Sequence, residues 1–255
     1  MRKSNLSPQA TPVSDQRRLT VTPFWRRALR FLFRLAATFV VLSIVLVVIL
    51  RFVPVPFSGV MVERQLGDWL DDKPNFKLHY HWVPIEKIAP PMQLAVIAGE
   101  DQRFPEHYGF DLAQMQKAWQ AHQRGRKLRG ASTISQQVAK NLFLWSGRSY
   151  ARKALEVWFT ALIELLWNKQ RILEVHLNIV EYGRGIYGVD AASVLYFRRP
   201  AARINFAQAA LMAAVLPNPH RYKVNLPSAF VLRRQAWIEQ QMIGLGGNRY
   251  LDAIR

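Results

Sequence analysis

The sequence predicts a mostly α-helical protein that carries a single transmembrane helix near its N-terminus. An uncharged apolar run from Leu35 to Leu50 predicts the membrane-spanning helix. Beyond this run, apolar residues recur at helical spacing, as Leu112, Met115 and Trp119 do. Residues 76–84 show the alternation that is typical of a short strand. A chain of 255 residues is long enough for one or two domains with a sizeable core.

The first part of the chain is predicted to form a basic tail, residues 1–27, and a membrane anchor, residues 28–52. The apolar run is shorter than the roughly 20 residues that a ~30 Å hydrocarbon core requires, so the anchor must include Arg30 and Arg34, whose side chains reach back to the headgroups. A cleaved signal peptide is the alternative, but no clear small-x-small cleavage site follows the run. Eight Lys and Arg residues among positions 1–34 place this end in the cytoplasm and the rest of the chain outside it.

The composition indicates an anionic partner. There are 35 Lys and Arg residues against 17 Asp and Glu residues, which gives a formal net charge of +18. Such a charge suits nucleic acid, an anionic membrane surface or a phosphorylated substrate. Nucleic acid is the weakest of the three, because genomic DNA is absent outside the cytoplasmic membrane. The chain contains no Cys, which excludes disulfides and thiolate metal sites.

The remainder of the chain is predicted to be nearly all helical. Pro91 fits the first position of one helix. Ser132 or Thr133 can cap another, and Asn205 can cap a third. The glycine-punctuated residues 181–188 are predicted to form a loop. The predicted helices cover residues 60–70, 91–101, 111–123, 132–144, 150–167, 169–178, 190–197, 206–215 and 227–243.

A wide polar face is predicted on the helix of residues 132–144. Its members recur every four residues on two adjoining stripes, Ser132, Gln136 and Lys140 on one and Thr133, Gln137 and Asn141 on the other. An uncharged polar face that ends in one Lys is a poor core face and a reasonable hydrogen-bonding wall for a sugar. The alternative is a solvated surface, which would normally carry Glu and Lys. Arg148 would add a second cation near Lys140, and two converging cations suit a diphosphate.

Two carboxylates that lie far apart in the sequence are candidate catalytic groups. Glu100 follows an apolar run at a helix end, and apolar surroundings raise the pKa of a carboxyl group, which suits a general base. An ordinary exposed Glu is the alternative. Asp101 projects about 100° away from Glu100 on a helix, so the two need not share a role. Glu156 lies four residues after Arg152, and this spacing taken alone favours a simple salt bridge. For His107 we favour a structural hydrogen bond over catalysis.

Four motifs follow one another in a fixed order. They read Glu100-Asp101-x-x-Phe104-x-x-His107-x-Gly109-x-Asp111, Gly130-x-Ser132-Thr133-Ile134-x-Gln136-Gln137-x-x-Lys140-Asn141, Arg152-Lys153-x-x-Glu156 and Lys169-x-x-Ile172-Leu173-Glu174-x-x-Leu177-Asn178. Together they resemble the peptidoglycan glycosyltransferases, and we assign this domain to residues 58–243. His176 is a departure, since the family usually has Tyr there, and we expect it to be a variation in packing. The sequence has no Ser-x-x-Lys or Lys-Thr-Gly motif, so the resemblance points to the monofunctional form rather than to a bifunctional penicillin-binding protein.

The resemblance implies a lysozyme-like α fold and a lipid II substrate, which is a disaccharide-pentapeptide on undecaprenyl diphosphate. It implies that Glu100 is the base that deprotonates the acceptor 4-hydroxyl as this oxygen attacks C1 of the donor with inversion. Glu156 is implied as a second catalytic carboxylate that positions cations, donor or a metal ion. The residues implied to bind substrate are Asp101, Ser132, Thr133, Gln136, Gln137, Lys140, Asn141, Arg148, Arg152 and Lys153.

The resemblance also carries expectations about cofactors, partners and location. Mg²⁺ or Mn²⁺ is expected with the substrate diphosphate, without an organic cofactor and without a dedicated metal cage in the protein. The expected partners are lipid II, the nascent glycan strand, membrane lipid and other cell-wall synthesis or division proteins, but no nucleic acid. The catalytic domain is expected on the periplasmic side of the bacterial inner membrane. The basic and aromatic residues 112–130 are expected to touch that membrane.

Two other functions remain open at this point. A lytic transglycosylase or lysozyme-like hydrolase would share the fold and a catalytic Glu, but it would cut glycan. Such an enzyme has no diphosphate to neutralise, so the cation cluster favours synthesis. A non-catalytic wall-binding scaffold is the second alternative, and the presence of Glu100, Lys140, Arg148 and Glu156 argues against it.

Overall fold

The computed structural model describes residues 24–70, 77–125, 132–147 and 149–254. The chain divides after Leu42 into a small N-terminal unit and a large compact unit that begins at Ser43. The helices are α1 (Phe24–Phe52), α2 (Gly59–Leu70), α3 (Pro90–Glu100), α4 (Leu112–Gln123), α5 (Ile134–Phe143), α6 (Tyr150–Leu166), α7 (Lys169–Ile179), α8 (Val189–Phe197), α9 (Phe206–Val215) and α10 (Ala229–Gly244). The prediction of a mostly helical protein is therefore confirmed.

The apolar helix α1 is longer than the predicted anchor at its N-terminal end. It runs over 29 residues from Phe24 to Phe52. Among the described residues, it is the one helix that is long and apolar enough to cross a membrane. Nearly all of its large side chains are exposed to the surroundings, as expected of a helix whose natural solvent is lipid.

A small sheet corrects the prediction of a loop at residues 181–188. Strands β1 (His79–Tyr80), β2 (Glu181–Gly183) and β3 (Ile186–Tyr187) pair in the order β1-β3-β2, with β1 parallel and β2 antiparallel to β3. Gly185 takes a φ of 73° in the turn between β2 and β3, a conformation that glycine adopts without strain. The strands are two or three residues long, which leaves too little alternation for a sequence pattern to reveal them.

Two groups of helices build the core around the site. Helix α3 is apolar on nearly every face and is buried by α9 and α10. The small side chains of α9, such as Ala210 and Ala213, let it lie close to α3. Helix α5 packs against α6 and α7. The site lies where the end of α3 meets the start of α5, so these two groups of helices determine its shape.

Four short 3-10 segments complete the described elements. They are Ile85–Lys87, Phe104–Glu106, Ala201–Arg203 and Gly247–Ile254. The last of them follows the final predicted helix and has no counterpart in the sequence prediction. It packs against α3 and α10 through the buried side chains of Leu251 and Ile254, so the end of the described chain closes the core on this side.

Candidate active site

A cleft of about 450 Å³ lies beside helix α5. Gln137, Lys140 and Asn141 of α5 form one wall, and Arg152 of α6 extends it. Residues near β2 and β3 and in the segment after α9 also line the cleft, namely Val180, Glu181, Tyr187, Leu216, Pro217 and Pro219. Four of the residues predicted to bind substrate therefore line one cavity.

Glu100 is held at the end of α3 by two groups from other helices. Gln137 Nε2 donates a hydrogen bond to its Oε2 atom at 2.9 Å. Arg234 Nη2 lies 3.4 Å from its Oε1 atom. Burial raises the pKa of Glu100, while Gln137 and Arg234 partly oppose this effect. A carboxylate with raised proton affinity fits the predicted role of general base.

Arg234 is a functional candidate that the sequence did not reveal. It lies on α10, and its Nη2 atom also donates to the backbone carbonyl of Gly99 at 3.2 Å. Arg234 thus reaches both the backbone and the carboxylate at the end of α3. Since 134 positions separate Arg234 from Glu100, no local sequence pattern could have indicated this contact.

Asp101 points into the protein rather than into the cleft. Its carboxylate oxygens lie 2.9 and 3.1 Å from His107 Nε2 and accept a 3.0 Å hydrogen bond from the backbone N–H of Ile134. Asp101 is only 4 % exposed. A carboxylate at the first N–H of α5 interacts favourably with the helix dipole and satisfies a donor that has no partner within the helix. The structure therefore gives Asp101 a structural contact, while its contact with substrate stays a prediction. The expected structural hydrogen bond of His107 is present.

Thr133 and Gln136 form a capping box at the start of α5. The side chain of Thr133 accepts from the backbone N–H of Gln136, and Gln136 Oε1 accepts from the backbone N–H of Thr133. Thr133 Oγ1 also donates to the Gly109 carbonyl at 2.6 Å. Both side chains are buried. They satisfy helix N–H groups that have no partner within the helix.

The capping box corrects the predicted polar stripe. Ser132 precedes the first helical residue and is exposed, so it does not share a helix face with Gln136 and Lys140. Gln136 folds back toward the helix start and does not line the cleft. The adjoining stripe is supported in part, since Gln137 and Asn141 line the cleft but Thr133 does not.

Lys140 is the cation of α5 that faces the cleft. Water reaches part of its side chain, but the cleft walls still desolvate the ammonium group and lower its pKa. Glu156 opposes this effect, and the neighbouring cations Arg152 and Lys153 add to it. Lys140 makes no hydrogen bond or ion pair with the part of the chain that the structure describes. It is therefore available to an anionic ligand.

Glu156 neutralises two of the neighbouring cations. Its oxygens lie 3.1 Å from Arg152 Nη1 and 2.5 Å from Lys153 Nζ, and the residue is only 4 % exposed. The predicted pairing of Arg152 with Glu156 is thus confirmed. With Lys140 included, three cations surround one carboxylate, and this surplus suits an anion. Arg148, which was predicted to add a further cation, lies outside the described residues.

The described residues do not fit a resident metal ion. They contain no group of three or more His, Asp or Glu side chains that could hold one. Both oxygens of Glu156 are already engaged by cations.

His176 lies in α7 and is fully buried. Burial lowers its pKa to about 3, so the imidazole is neutral at physiological pH. Neither ring nitrogen has a hydrogen-bond partner among the described residues. This environment agrees with the expected packing role and excludes His176 as a proton carrier at neutral pH.

A partly buried carboxylate with raised proton affinity, set beside a cation-lined cleft, suits an enzyme that transfers a group from an anionic leaving group. The comparisons identify the family. A family model described as Transglycosylase matches residues 70–243. The four motifs predicted the same family, and the chain belongs to it.

Three relatives cover most of the chain. A protein of Pasteurella multocida (strain Pm70) is 54 % identical over 230 residues, which is 90 % of this chain and 93 % of the relative. Proteins of Yersinia pestis (strain Pestoides F) and Yersinia pseudotuberculosis serotype IB (strain PB1/+) are each 55 % identical over 207 residues, which is 81 % of this chain and 86 % of the relative. All three relatives are named biosynthetic peptidoglycan transglycosylase.

Proposed function

We propose that this enzyme polymerises lipid II into linear glycan strands and releases undecaprenyl diphosphate. The family and the names of the relatives support peptidoglycan glycosyl transfer. The lipid-linked donor and the roles of individual residues are what the proposal adds. The relatives are named as biosynthetic enzymes, which weighs against the lytic alternative and against a non-catalytic scaffold.

One observation carries the assignment of roles. Gln137 holds Glu100 at 2.9 Å, and Lys140 follows three residues later on the same helix wall of the cleft. One turn of an α-helix rises about 5.4 Å, so Gln137, which holds the base, and the cation Lys140 are about one turn apart along α5. This spacing suits a reaction in which a proton is removed on one side of a sugar ring and a diphosphate departs on the other.

Glu100 acts as the general base. Its carboxylate takes the proton of the acceptor 4-hydroxyl as that oxygen forms a bond to C1 of the donor. The bond between C1 and the phosphate oxygen breaks, and its electron pair leaves with the diphosphate. Attack opposite to the leaving group inverts the configuration at C1.

The cations stabilise the departing diphosphate. Negative charge accumulates on the leaving oxygen, and preorganised cations close to that oxygen stabilise it. Lys140 and Arg152 line the cleft, and Lys153 lies beside them. Glu156 keeps Arg152 and Lys153 together despite their mutual repulsion, and Arg148 would join this group. A divalent ion, Mg²⁺ or Mn²⁺, is carried by the diphosphate in this proposal.

The enzyme works at a membrane surface because its donor carries a lipid chain. Helix α1 is suited to anchor it. Its basic N-terminal flank favours a cytoplasmic N-terminus and a catalytic domain on the periplasmic side of the inner membrane. Helix α4 has no buried residue and exposes Leu112, Met115 and Trp119, which supports contact with lipid. Cell-wall synthesis or division proteins are the expected protein partners, and nucleic acid is not expected among them.

Polymerisation of labelled lipid II in detergent tests the proposal. The wild-type enzyme should give glycan chains that lysozyme digests, and Glu100→Gln should lose nearly all activity. The exposed residue Glu86 provides a matched control, since Glu86→Gln should polymerise at the wild-type rate. If the wild type gave no polymer but released fragments from purified peptidoglycan, the lytic function would replace ours. If neither reaction occurred, the scaffold would be the better interpretation.

A further inference from the structure

The last turns of α1 differ from the rest of this helix in their surroundings. Ser43 and Val47 are 5 % and 0 % exposed, whereas most other residues of α1 are exposed. These turns belong to the same compact unit as the cleft, which begins at Ser43. The end of the apolar helix is therefore part of the catalytic unit.

Two Trp side chains bind this end of α1 through their indole N–H groups. Trp158 Nε1 donates to Ser43 Oγ at 3.1 Å, and Trp167 Nε1 donates to the Val47 carbonyl at 2.8 Å. A buried indole N–H normally requires an acceptor. Trp158 lies in the middle of α6 and Trp167 is its C-cap residue, so α1 is held at two separate points.

Arg171 of α7 caps the C-terminus of α1. Its Nη2 atom donates to the carbonyls of Leu50, at 2.8 Å, and of Val53. The last carbonyls of a helix lack partners within the helix, and a cation placed there interacts favourably with the helix dipole. Arg171 is held in place by Glu174, whose Oε2 atom lies 2.7 Å from Arg171 Nη1. Its guanidinium carbon also lies 5.0 Å from the centre of the Trp82 ring. The pair of Arg171 and Glu174 therefore holds the end of α1.

The connection from α1 to α2 is held by packing and by a hydrogen bond. Val55 and Ser58 are buried, and Tyr80 donates a hydrogen bond to the Val55 carbonyl. At the start of α2, a Cβ atom on Gly59 would lie 2.8 Å from the carbonyl oxygen of Leu144, just after α5. The end of α1 is thus connected by packed backbone to the helix that carries Gln137 and Lys140.

We propose that residues 43–59, fixed by Trp158, Trp167 and Arg171, form a rigid mount that presents the cleft to its lipid-linked donor in one orientation. If this segment were a flexible tether, Val55 would be exposed and the carbonyls of Leu50 and Val53 would form hydrogen bonds with water. The three side chains are positioning residues, because they touch the mount and not the cleft. This inference rests on the proposed function, since only a donor anchored in a bilayer requires a fixed orientation.

A distance measurement tests the mount independently of activity. The chain contains no Cys, so Phe52→Cys and Gln240→Cys, both at exposed positions, give two unique sites for spin labels. In the full chain in lipid nanodiscs, the distance distribution between the labels should be narrow. Arg171→Gln should broaden it, whereas Arg203→Gln, a change at an exposed Arg, should not. A broad distribution without either Arg substitution would overturn the rigid mount.

Activity on two donors tests the functional consequence. Arg171→Gln and the milder Trp167→Phe should reduce polymerisation of undecaprenyl lipid II in phosphatidylethanolamine–phosphatidylglycerol liposomes. A loss of about tenfold is expected for Arg171→Gln, because a misplacement of about 1 Å can cost roughly 10²-fold in rate. Both variants should keep the wild-type rate on a soluble short-chain lipid II analogue in detergent, which also shows that they fold.

The remaining outcomes separate the two proposals. Equal losses on both donors, or no loss on either, would overturn the positioning role even if the distance distribution were narrow. If the wild type polymerised neither donor, the proposed function would fail, whereas the distance measurement would still decide whether the mount is rigid.

Discussion

Of the two candidate catalytic carboxylates, Glu156 is buried and Glu100 is partly buried, and they differ most in their partners. Glu100 has a neutral amide, Gln137, at 2.9 Å and a more distant guanidinium at 3.4 Å, so burial dominates and raises its pKa. Glu156 has a cation on each oxygen, at 3.1 and 2.5 Å. We therefore expect the carboxylate with weak partners to act as a base and the one with two cations to act as a counter-ion.

Substitution of each carboxylate should reveal the difference in role between Glu100 and Glu156 most clearly. Glu100→Gln should reduce turnover of lipid II by at least about 10²- to 10⁴-fold, the usual contribution of a general base. Its stability should not fall, because an amide avoids the cost of burying a charge. Turnover and thermal unfolding of the purified variant measure both effects.

The matching change at Glu156 should act mainly through stability and cation placement. Removing one partner of a buried ion pair costs roughly 3–5 kcal/mol, and we expect the low end because Lys153 is half-exposed. Glu156→Gln should lower the melting temperature and reduce turnover less than Glu100→Gln does. A Glu156→Gln variant that melts at the wild-type temperature would contradict the role of counter-ion.

Substitution of Lys140 tests how the cleft stabilises the leaving group. Lys140→Ala should lower kcat by about 10²- to 10³-fold, the typical cost of removing one charge-stabilising donor. Lys87→Ala, a change at an exposed Lys outside the cleft, is the control and should retain activity. If Lys140→Ala raised KM without changing kcat, Lys140 would bind the donor without stabilising its departure.

The pH profile tests the tuning of Glu100 by Arg234. The Arg234 cation lowers the pKa of Glu100 and opposes the effect of burial. The base must be ionised to accept a proton, so activity is lost as the pH falls through this pKa. Arg234→Gln should raise the pKa and shift the acidic limb of the kcat/KM profile to higher pH. Arg233→Gln, at the exposed neighbouring position, should leave the limb in place.

The smallest effects are expected at the start of α5, where the predicted polar stripe gave way to a capping box. Thr133→Ala should lower the free energy of unfolding by about 1–2 kcal/mol, the usual cost of losing a helix cap. The exposed Ser132→Ala should change stability by less than about 0.5 kcal/mol. Chemical denaturation of the two variants measures the difference. Equal stability of both would contradict the capping role of Thr133.

The sequence by itself determined the helices, the anchor and the family. Apolar spacing, Pro91 and Asn205 mark helix bounds locally, since hydrophobic periodicity and caps act within a few residues. Glu100, Lys140 and the pair of Arg152 with Glu156 were identifiable because they recur in ordered motifs or at the spacing of one helical turn. The short strands of residues 181–187 escaped because two or three residues carry too little pattern.

The tertiary structure alone decided what each polar side chain contacts. Gln136 and Gln137 are adjacent in sequence, yet one caps α5 and the other holds Glu100, because successive residues of a helix point about 100° apart. Arg234 and Arg171 acquired roles only when α10 reached the end of α3 and α7 reached the end of α1. Glu100 acquires the surroundings of a base only through burial and its long-range partners Gln137 and Arg234, which no local sequence pattern contains.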